Sequence, residues 1–429
     1  MAKKQMTRRQ FVKAGLLTAA GAGLGVGALK PTGLYAATPK VAGPIKVGYQ
    51  SETSGFLAAW GDFHIMGATM AMEEINAAGG IAGQKLEIEF HNTALHPDQA
   101  VRNARRFVEK WGADFLAGVD ISEQALALAP VVAELDRVLM VTHAPAAKLT
   151  EEEVFQKGIK QIFRVATPTY QDAYAAALVA RDIPAKTWGG LNLANDYGTS
   201  CWSMFQETLA KVKPEVKFPA AVAVPWDTTD YRPHINTLMN AEPEGIFCSA
   251  VSAGLIHMVR QAQKIGLFDH VKHVMLTGGG GMDVLEGLGK VMPDNVWITS
   301  RYWLQYPATP ANQDFVTRFF KRWSHYPADV SEAAYAAMYA FKKAVEAAGS
   351  KETKAVIQAL EGMSLKCPAG TRVFRKEDHQ AVYDVPWGLT KSDPTFGFKV
   401  MGQMVVVPAK DCFARPPFTG PAARPPFQG

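Results

Sequence analysis

The residues of this chain that could carry out chemistry do not form a motif typical of an enzyme. Its 429 residues contain no phosphate-binding G-x-x-x-x-G-K-[ST], no G-x-S-x-G nucleophile elbow and no H-E-x-x-H metal motif. The glycine run Gly278–Gly281 follows a predicted strand but lacks the lysine and the hydroxyl residue of a phosphate-binding loop. Because glycine reaches positive φ at little cost, the run predicts a flexible or closely packed loop. We expect no catalysis, metal or cofactor, and an enzyme built on scattered residues is the alternative.

Aromatic and polar side chains gather instead in loops that follow predicted strands. Trp60, Ser122, His143 and Tyr197 all lie in such loops. In open parallel sheets, ligands bind outside the carboxyl ends of the strands. An aromatic wall with a few polar anchors suits a small organic ligand. The loops nominated by this rule are 50–61, 120–123, 142–147, 195–199, 249–253 and 277–281.

Ser122 has two interpretations, because it directly precedes a predicted helix that begins near Glu123. Its hydroxyl can cap that helix by accepting a hydrogen bond from a backbone N–H group. Alternatively, the hydroxyl and the N–H groups of the helix N-terminus together bind a ligand carboxylate. The sequence leaves both interpretations open.

The elements that must position these loops alternate between strand and helix from residue 44 onward. Short apolar runs such as Ile45–Tyr49 predict strands, and segments such as 62–78 carry apolar residues at helical spacing. Such alternation predicts parallel sheets covered by helices, and two successive series predict two lobes. Towards the end, strands are predicted at 371–374, 381–389, 396–401 and 404–407.

The N-terminal segment predicts export. Arg8 and Arg9 directly precede the apolar, glycine-rich run 14–29, and small residues follow at Ala36 and Ala37. This arrangement is typical of a twin-arginine (Tat) signal peptide spanning 1–37. A membrane anchor is the alternative, but the run is shorter than the roughly 20 residues that a spanning helix needs.

Charge and cysteine content restrict the remaining possibilities. Residues 1–37 carry six Lys or Arg and no acid, so the net charge of +5 minus these six leaves −1 for the exported chain. A nearly neutral chain gives no reason to expect a nucleic-acid partner. In an oxidising compartment, Cys367 and Cys412 flank a strand-rich region and are predicted to form a disulfide. Cys201 and Cys248 lie inside predicted elements and are expected to be buried thiols.

At these residues the sequence resembles the leucine/isoleucine/valine-binding protein family, the periplasmic receptors of ABC importers for branched-chain amino acids and amides. The similarity spans roughly residues 44–412. Its most specific stretch is Ile75–Gly83, with the sequence INAAGGIAG. The other matching segments are 54–55, 60–62, 67–68, 96–100, 195–198, 260–262 and 378–380.

The resemblance implies an α/β, type I periplasmic binding protein: two doubly wound lobes with parallel sheets, joined by a three-strand hinge. Because the chain then crosses between lobes three times, neither lobe is one continuous segment. The function implied is a solute-binding component that closes on a small ligand and contacts the permease subunits of an importer. A ligand-sensing subunit of a membrane receptor is a further alternative. The predicted organisation is a leader at 1–37, a first lobe at 44–168 with 300–366, a second lobe at 169–299 with 367–412, and a proline-rich disordered tail at 413–429.

The resemblance also assigns site residues. Ser122 matches the serine that binds the ligand carboxylate, Trp60 a wall aromatic, and Tyr197 the wall tyrosine of the second lobe. Two departures bear on the ligand, since His143 and Ala144 stand where the family has a carboxylate-binding threonine. Val251 stands near a family tyrosine, and Gly279 lies in the glycine run that replaces the acid pairing with a ligand ammonium.

The missing acid counts against an α-amino acid, because an ammonium in a closed cleft needs a carboxylate. Asp120 and Asp196 are the possible substitutes. The uncharged, aromatic-lined remainder suits an aromatic or aliphatic carboxylate, or an amide, about as well as a branched-chain amino acid.

Overall fold

Two mainly parallel sheets organise the chain in this computed structural model, which describes residues 41–418. The predicted leader at 1–37 therefore lies outside the described residues. The strands are β1 Ile45–Ser51, β2 Leu86–Asn92, β3 Phe115–Gly118, β4 Val138–Val141, β5 Ile162–Arg164, β6 Trp188–Leu193, β7 Ala221–Val224, β8 Gly245–Cys248, β9 His273–Leu276, β10 Trp297–Thr299, β11 Ser364–Cys367, β12 Gly370–Phe374, β13 Ala381–Val382, β14 Val385–Lys391 and β15 Val400–Val407.

Helices cover both sheets, as the strand–helix alternation predicts. The α-helices are α1 Ala58–Ala77, α2 Pro97–Arg106, α3 Ser122–Glu134, α4 Thr169–Arg181, α5 Asp196–Val212, α6 Arg232–Asn240, α7 Ser252–Ile265, α8 Leu267–His270, α9 Met282–Leu288, α10 Pro310–Trp323, α11 Asp329–Ala348, α12 Thr353–Leu360 and α13 Ala409–Cys412. Short π-helices span Phe107–Trp111 and Leu149–Gln156. Within residues 41–418, none of the helices has the length and apolarity that a membrane span requires.

The first lobe contains five parallel strands in the order β2-β1-β3-β4-β5. The second lobe contains seven strands in the order β15-β14-β10-β9-β8-β6-β7, of which β14 and β15 run antiparallel to their neighbours. The central strands β3, β4 and β8 are buried along their whole length, which is typical of parallel strands covered on both faces. The two-lobed α/β fold predicted from the sequence is confirmed.

The chain crosses between the lobes three times. It passes from β5 to α4 and from β10 back to the first lobe, and it crosses finally between β13 and β14. The third crossing was predicted near 366/367, but it lies at 383–384. Strands β11 and β12 form one antiparallel hairpin, so they cannot divide between lobes, and Phe374 of β12 packs against Phe163 of the first sheet. Residues 367–382 thus lie with the first lobe.

The C-terminal strands also differ from the prediction. The segment predicted as one strand at 381–389 contains both β13 and β14, because the chain changes lobe between them. The two strands predicted at 396–401 and 404–407 are one strand, β15. The predicted tail begins too early, since Phe413 is buried and its ring contacts Tyr170 of α4. Residues 419–429 lie outside the described residues.

The predicted disulfide between Cys367 and Cys412 is wrong for this structure, in which neither cysteine is disulfide-bonded. Cys367 ends β11 in the first lobe, where its Sγ lies 3.2 Å from the carbonyl oxygen of Gly370. Cys412 ends α13 and is buried in the core of the second lobe. The two thiols do not meet because they belong to different lobes. Cys201 and Cys248 are buried, as expected.

Helices α1 and α11 pack closely in the first lobe and carry two residues of the cleft described below. Gly67 of α1 allows this approach, because a Cβ atom at that position would lie 2.0 Å from the carbonyl oxygen of Ser331 on α11. A clash with backbone is relieved only if the helices move apart.

We predict that Gly67→Ala lowers the free energy of unfolding by about 1–3 kcal/mol, the usual cost of overpacking a core. Denaturant titration followed by circular dichroism measures this change. Gly397→Ala is the matched control, because a Cβ atom there meets nothing within 4 Å, and it should change stability by less than about 0.5 kcal/mol. Equal stability of the two variants would contradict the packing argument.

Candidate functional site

A cavity lies between the lobes, where the carboxyl ends of the two sets of parallel strands face each other. It encloses about 710 Å³ including its mouth, within the range typical of small-molecule sites. Each of the six loops nominated from the sequence contributes at least one lining residue. Of the individual residues predicted, those that line the cavity are Trp60, Ser122, His143, Tyr197 and Val251.

Ala144 and Gly279 were also predicted at the site, but neither lines the cavity. Ala144 is completely buried behind it. Gly279 faces the sheet, since a Cβ atom there would lie 2.4 Å from the side chain of Ile298. The glycine run forms a tight turn, closed by a hydrogen bond from the Gly281 N–H to the carbonyl oxygen of Gly278. Only its first and last residues, Gly278 and Gly281, line the cavity.

Aromatic rings form one wall of the cavity. The rings of Trp60 and His143 pack with centroids 4.2 Å apart. Burial and, to a smaller extent, the charge of Arg301 lower the pKa of His143 to about 3. The imidazole is therefore neutral, and its Nδ1 donates to the carbonyl oxygen of Asp120 over 3.0 Å. Across the mouth, Phe56 of the first lobe contacts Trp226 of the second, with ring centroids 5.8 Å apart.

Ser122 lies at the first position of α3, where the N–H groups of a helix have no partner within the helix. The capping residue is Ile121, and no side chain caps this helix. The Ser122 side chain is almost fully buried, and its Oγ has no hydrogen-bond partner. The capping interpretation is thus not seen, and an unpaired hydroxyl faces the cavity beside a helix N-terminus.

Neither of the proposed substitutes for the missing acid is available to a ligand ammonium. Asp120 lines the cavity, but it accepts hydrogen bonds from His64 Nε2 at 3.0 Å, from the Ser51 hydroxyl and from the Glu52 N–H. Burial alone would raise the pKa of Asp120, and the hydrogen bond and charge of His64 reverse this. Asp196 is exposed and does not line the cavity.

The cavity is not uncharged, because besides Asp120 and the exposed Glu123 three further acids line it. Asp172 of α4 is paired with Arg301, with 2.8 Å between Oδ2 and Nη2. Asp283 lies in the first turn of α9, and its Oδ2 is buried with no hydrogen-bond partner. Asp329 is the first residue of α11. Burial raises the pKa of Asp283 to about 6, and the negative charge of Asp329 contributes to this.

Sequence reasoning missed these acids for identifiable reasons. Asp283 lies two residues beyond Gly281, the last residue of a nominated loop, so extending that loop by one helical turn would have included it. Arg301 lies just after the carboxyl end of β10. The rule that ligands bind at the carboxyl ends of parallel strands would have predicted this loop as well. Asp172 lies in the first turn of α4, and the loop between β5 and α4 was not among those nominated; Asp329 begins α11, which follows another helix rather than a strand. Within residues 41–418, no group of three or more potential ligands could hold a metal ion.

The backbone beside the site adopts unusual conformations in both lobes. Val119, next to Asp120, has φ of 63°, and Ser252, which faces Asp283, has φ of 49°. Left-handed backbone is costly for residues other than glycine, above all for a β-branched valine. Such strain is concentrated at functional sites in proteins, and here it borders the same cavity from both sides.

Comparison with known proteins assigns the family. The family described as periplasmic binding protein matches residues 44–390. The chain belongs to this family. Because its members bind solutes in the periplasm, the expectation of a binding protein rather than an enzyme is confirmed. The chain is 26% identical over 352 residues to the leucine-, isoleucine-, valine-, threonine- and alanine-binding protein of Pseudomonas aeruginosa, covering 82% of this chain and 91% of that one.

Solved structures share the fold of this periplasmic binding protein. An ABC-type branched-chain amino acid transporter protein from Rhodopseudomonas palustris CGA009 is 26% identical, with a TM-score of 0.70, and the match covers 85% of this chain and 97% of that one. A solute-binding protein of an ABC transporter from R. palustris BisB5, in complex with 3,4-dihydroxybenzoic acid, has a TM-score of 0.78 at 19% identity. That match covers 86% of this chain and 98% of that one. At 19% identity the second likeness concerns the fold alone.

The raised pKa of Asp283 predicts a pH-dependent stability effect. Its pKa is about 6 in the folded protein, against 3.8 for an ordinary solvated aspartate, so the folded protein holds a proton more tightly than the unfolded chain. Stability then falls as pH rises from about 4 to 6 and stays lower above that range. Asp283→Asn should therefore stabilise the ligand-free protein at pH 8 by up to about 3 kcal/mol, and the gain should vanish near pH 4.

Chemical denaturation at the two pH values measures this difference. Glu87→Gln, which replaces an exposed carboxylate on β2, is the control and should show no such pH-dependent gain. A destabilised Asp283→Asn protein at pH 8, or the same difference at both pH values, would show that burial does not oppose ionisation of Asp283.

Proposed function

We propose that this periplasmic binding protein is the solute-binding component of an ABC importer and that its ligand is an α-amino acid. The observation that carries the proposal is a pair of unsatisfied polar groups on opposite lobes. Ser122 and the N-terminus of α3 offer hydrogen-bond donors for a carboxylate, and Asp283 offers an acceptor for an ammonium. An α-amino acid is the compact ligand that presents both groups together.

We expect the cleft to close on the ligand, because the two lobes each supply some of the groups that bind it. A ligand bound by Ser122 in the first lobe and Asp283 in the second interacts fully only when the lobes are close, so binding favours the closed state. Trp60 and Tyr197 provide walls from the two lobes. Phe56 and Trp226 meet across the mouth, which restricts water around the bound charges. The names of the Pseudomonas relative and of the R. palustris CGA009 protein support an amino-acid ligand.

An aromatic carboxylate is the second candidate, favoured by the aromatic walls of the cavity and by the ligand of the BisB5 protein. Such a ligand would satisfy Ser122 but would leave Asp283 without a cation. It would also place a further negative charge in a cleft that already contains several carboxylates. Burying an uncompensated charge is costly, so this candidate is the weaker one.

Isothermal titration calorimetry distinguishes the candidates. We expect the protein to bind at least one L-α-amino acid, and to bind its analogue without the α-amino group and 4-hydroxybenzoate much more weakly. Ser122→Ala should reduce the amino-acid affinity by about 1.5–3 kcal/mol, the range for a hydrogen bond to a charged group.

The control for Ser122→Ala is Ser203→Ala, which replaces an exposed serine of α5 outside the cavity and should not change the affinity. Thermal melting of the ligand-free variants checks that folding is intact. Preference for 4-hydroxybenzoate over every amino acid would favour the second candidate, and unchanged affinity of Ser122→Ala would remove the carboxylate assignment.

We also propose that the chain reaches the periplasm through the Tat pathway and there meets the permease subunits of its importer. The support is the Arg8–Arg9 pair in front of the apolar run 14–29. Replacing both arginines with lysine should leave full-length precursor in the cytoplasm, as measured by fractionation and immunoblotting. Lys3→Arg with Lys4→Arg is the control and should be exported normally. Periplasmic accumulation of the double-lysine variant would contradict Tat export.

A further inference from the structure

The acidic side chains lining the cavity outnumber its cations. Five carboxylates and one guanidinium line it, and its histidine, His143, is neutral because burial lowers the pKa to about 3. These charged groups are Asp120, Glu123, Asp172, Asp283, Asp329 and Arg301. The charge that the ligand must supply depends on which of these carboxylates are already paired, hydrogen-bonded or solvated.

Three of the five carboxylates need nothing from a ligand. Asp172 forms the 2.8 Å ion pair with Arg301, which also donates to the carbonyl oxygen of His143. Asp120 accepts three kinds of hydrogen bond from its surroundings, including one from His64. Glu123 is exposed, so water solvates it.

Asp283 and Asp329 are the two that remain, since Ser252 and Trp60 interact with Asp283 but its buried Oδ2 has no hydrogen-bond partner within the described part of the chain. They lie on opposite lobes, Asp283 in the first turn of α9 and Asp329 at the start of α11. Burial raises the pKa of each carboxyl group, and the charge of Asp329 contributes to the rise at Asp283. The one cation lining the cavity, Arg301, forms its ion pair with Asp172, and its charge lowers the pKa of Asp329 by less than burial raises it. Two partly buried carboxylates therefore face the cavity without an ion-pair partner of their own among the described lining residues.

A ligand with a single ammonium compensates only one of these acids. The neutral zwitterion of an amino acid with an apolar side chain would bring its ammonium to Asp283 and its carboxylate to Ser122. Asp329 would then share Arg301 with Asp172 in a closed cleft and have no counter-charge of its own, which is costly. The unpaired Ser122 hydroxyl, only 4% exposed, independently marks the place of the ligand carboxylate.

We infer that the ligand is an α-amino acid whose side chain ends in a cation, and that Asp329 binds this second cation while Asp283 binds the α-ammonium. The inference rests on the proposed function and narrows it to a ligand class. The two acids lie on different lobes, so a dication between them attracts both and stabilises the closed cleft. Asp329 is then a specificity-determining residue.

Calorimetry with L-lysine and L-norleucine tests this assignment, because the two ligands share a linear side chain and differ in its terminal ammonium. We expect wild-type protein to bind lysine about tenfold or more tightly than norleucine, as a charge-assisted hydrogen bond implies. Asp329→Asn should weaken lysine binding by about the same factor and should not weaken norleucine binding. Asp98→Asn, an exposed aspartate in the first turn of α2, is the matched control and should change neither affinity.

The outcomes separate this inference from the proposed function. If norleucine binds as tightly as lysine, or if Asp329→Asn weakens both ligands equally, the assignment of Asp329 is wrong and the amino-acid proposal stands. If none of the twenty amino acids binds, the proposed function itself is wrong. Thermal melting checks that Asp329→Asn is folded, and Asp329→Ser repeats the comparison with a shorter side chain.

Discussion

The ion pair between Arg301 and Asp172 is the interaction on which the cleft depends. Arg301 lies in the second crossing between lobes, and it joins Asp172 of the second lobe to the backbone of His143 in the first. Both side chains are nearly buried, so loss of one would leave the other charge uncompensated. The pair also orients the wall, because the Tyr197 hydroxyl lies 3.3 Å from Asp172. Because this pair uses the one guanidinium that lines the cavity, Asp283 and Asp329 have no ion pair within residues 41–418.

Recognition and stability oppose each other in this cleft. A buried carboxylate such as Asp283, a buried hydroxyl such as Ser122 and left-handed backbone at Val119 each disfavour the ligand-free folded state. A ligand that pairs with the carboxylate and the hydroxyl removes those two costs. The helices around the cleft are packed closely enough to hold such groups in place, as the contact of Gly67 with α11 illustrates. Binding sites in general carry local instability that the surrounding fold supports.

Much of the fold could be predicted from the sequence because its signals are local. The alternation of short apolar runs with helical periodicity predicts parallel sheets, and each of the six loops chosen by the carboxyl-end rule lines the cavity. The C-terminal region was predicted less well, because strand propensity does not say which sheet a strand joins. The β11–β12 hairpin belongs with the first lobe through contacts such as Phe374 with Phe163, and this separates Cys367 from Cys412.

The sequence by itself determined the two-lobed architecture and the position of Trp60, Ser122 and Tyr197 at the cleft, because these follow from local patterns and from the resemblance to a known family. Only the tertiary structure decided the charge of the cavity. Asp283, Asp329, Asp172 and Arg301 come from distant parts of the chain, and each reaches the cavity through helix packing or a lobe crossing. Whether a carboxylate is available to a ligand depends on its neighbours in space, since Arg301 pairs with Asp172 and His64 hydrogen-bonds Asp120, while Asp283 and Asp329 have no ion pair among the described residues.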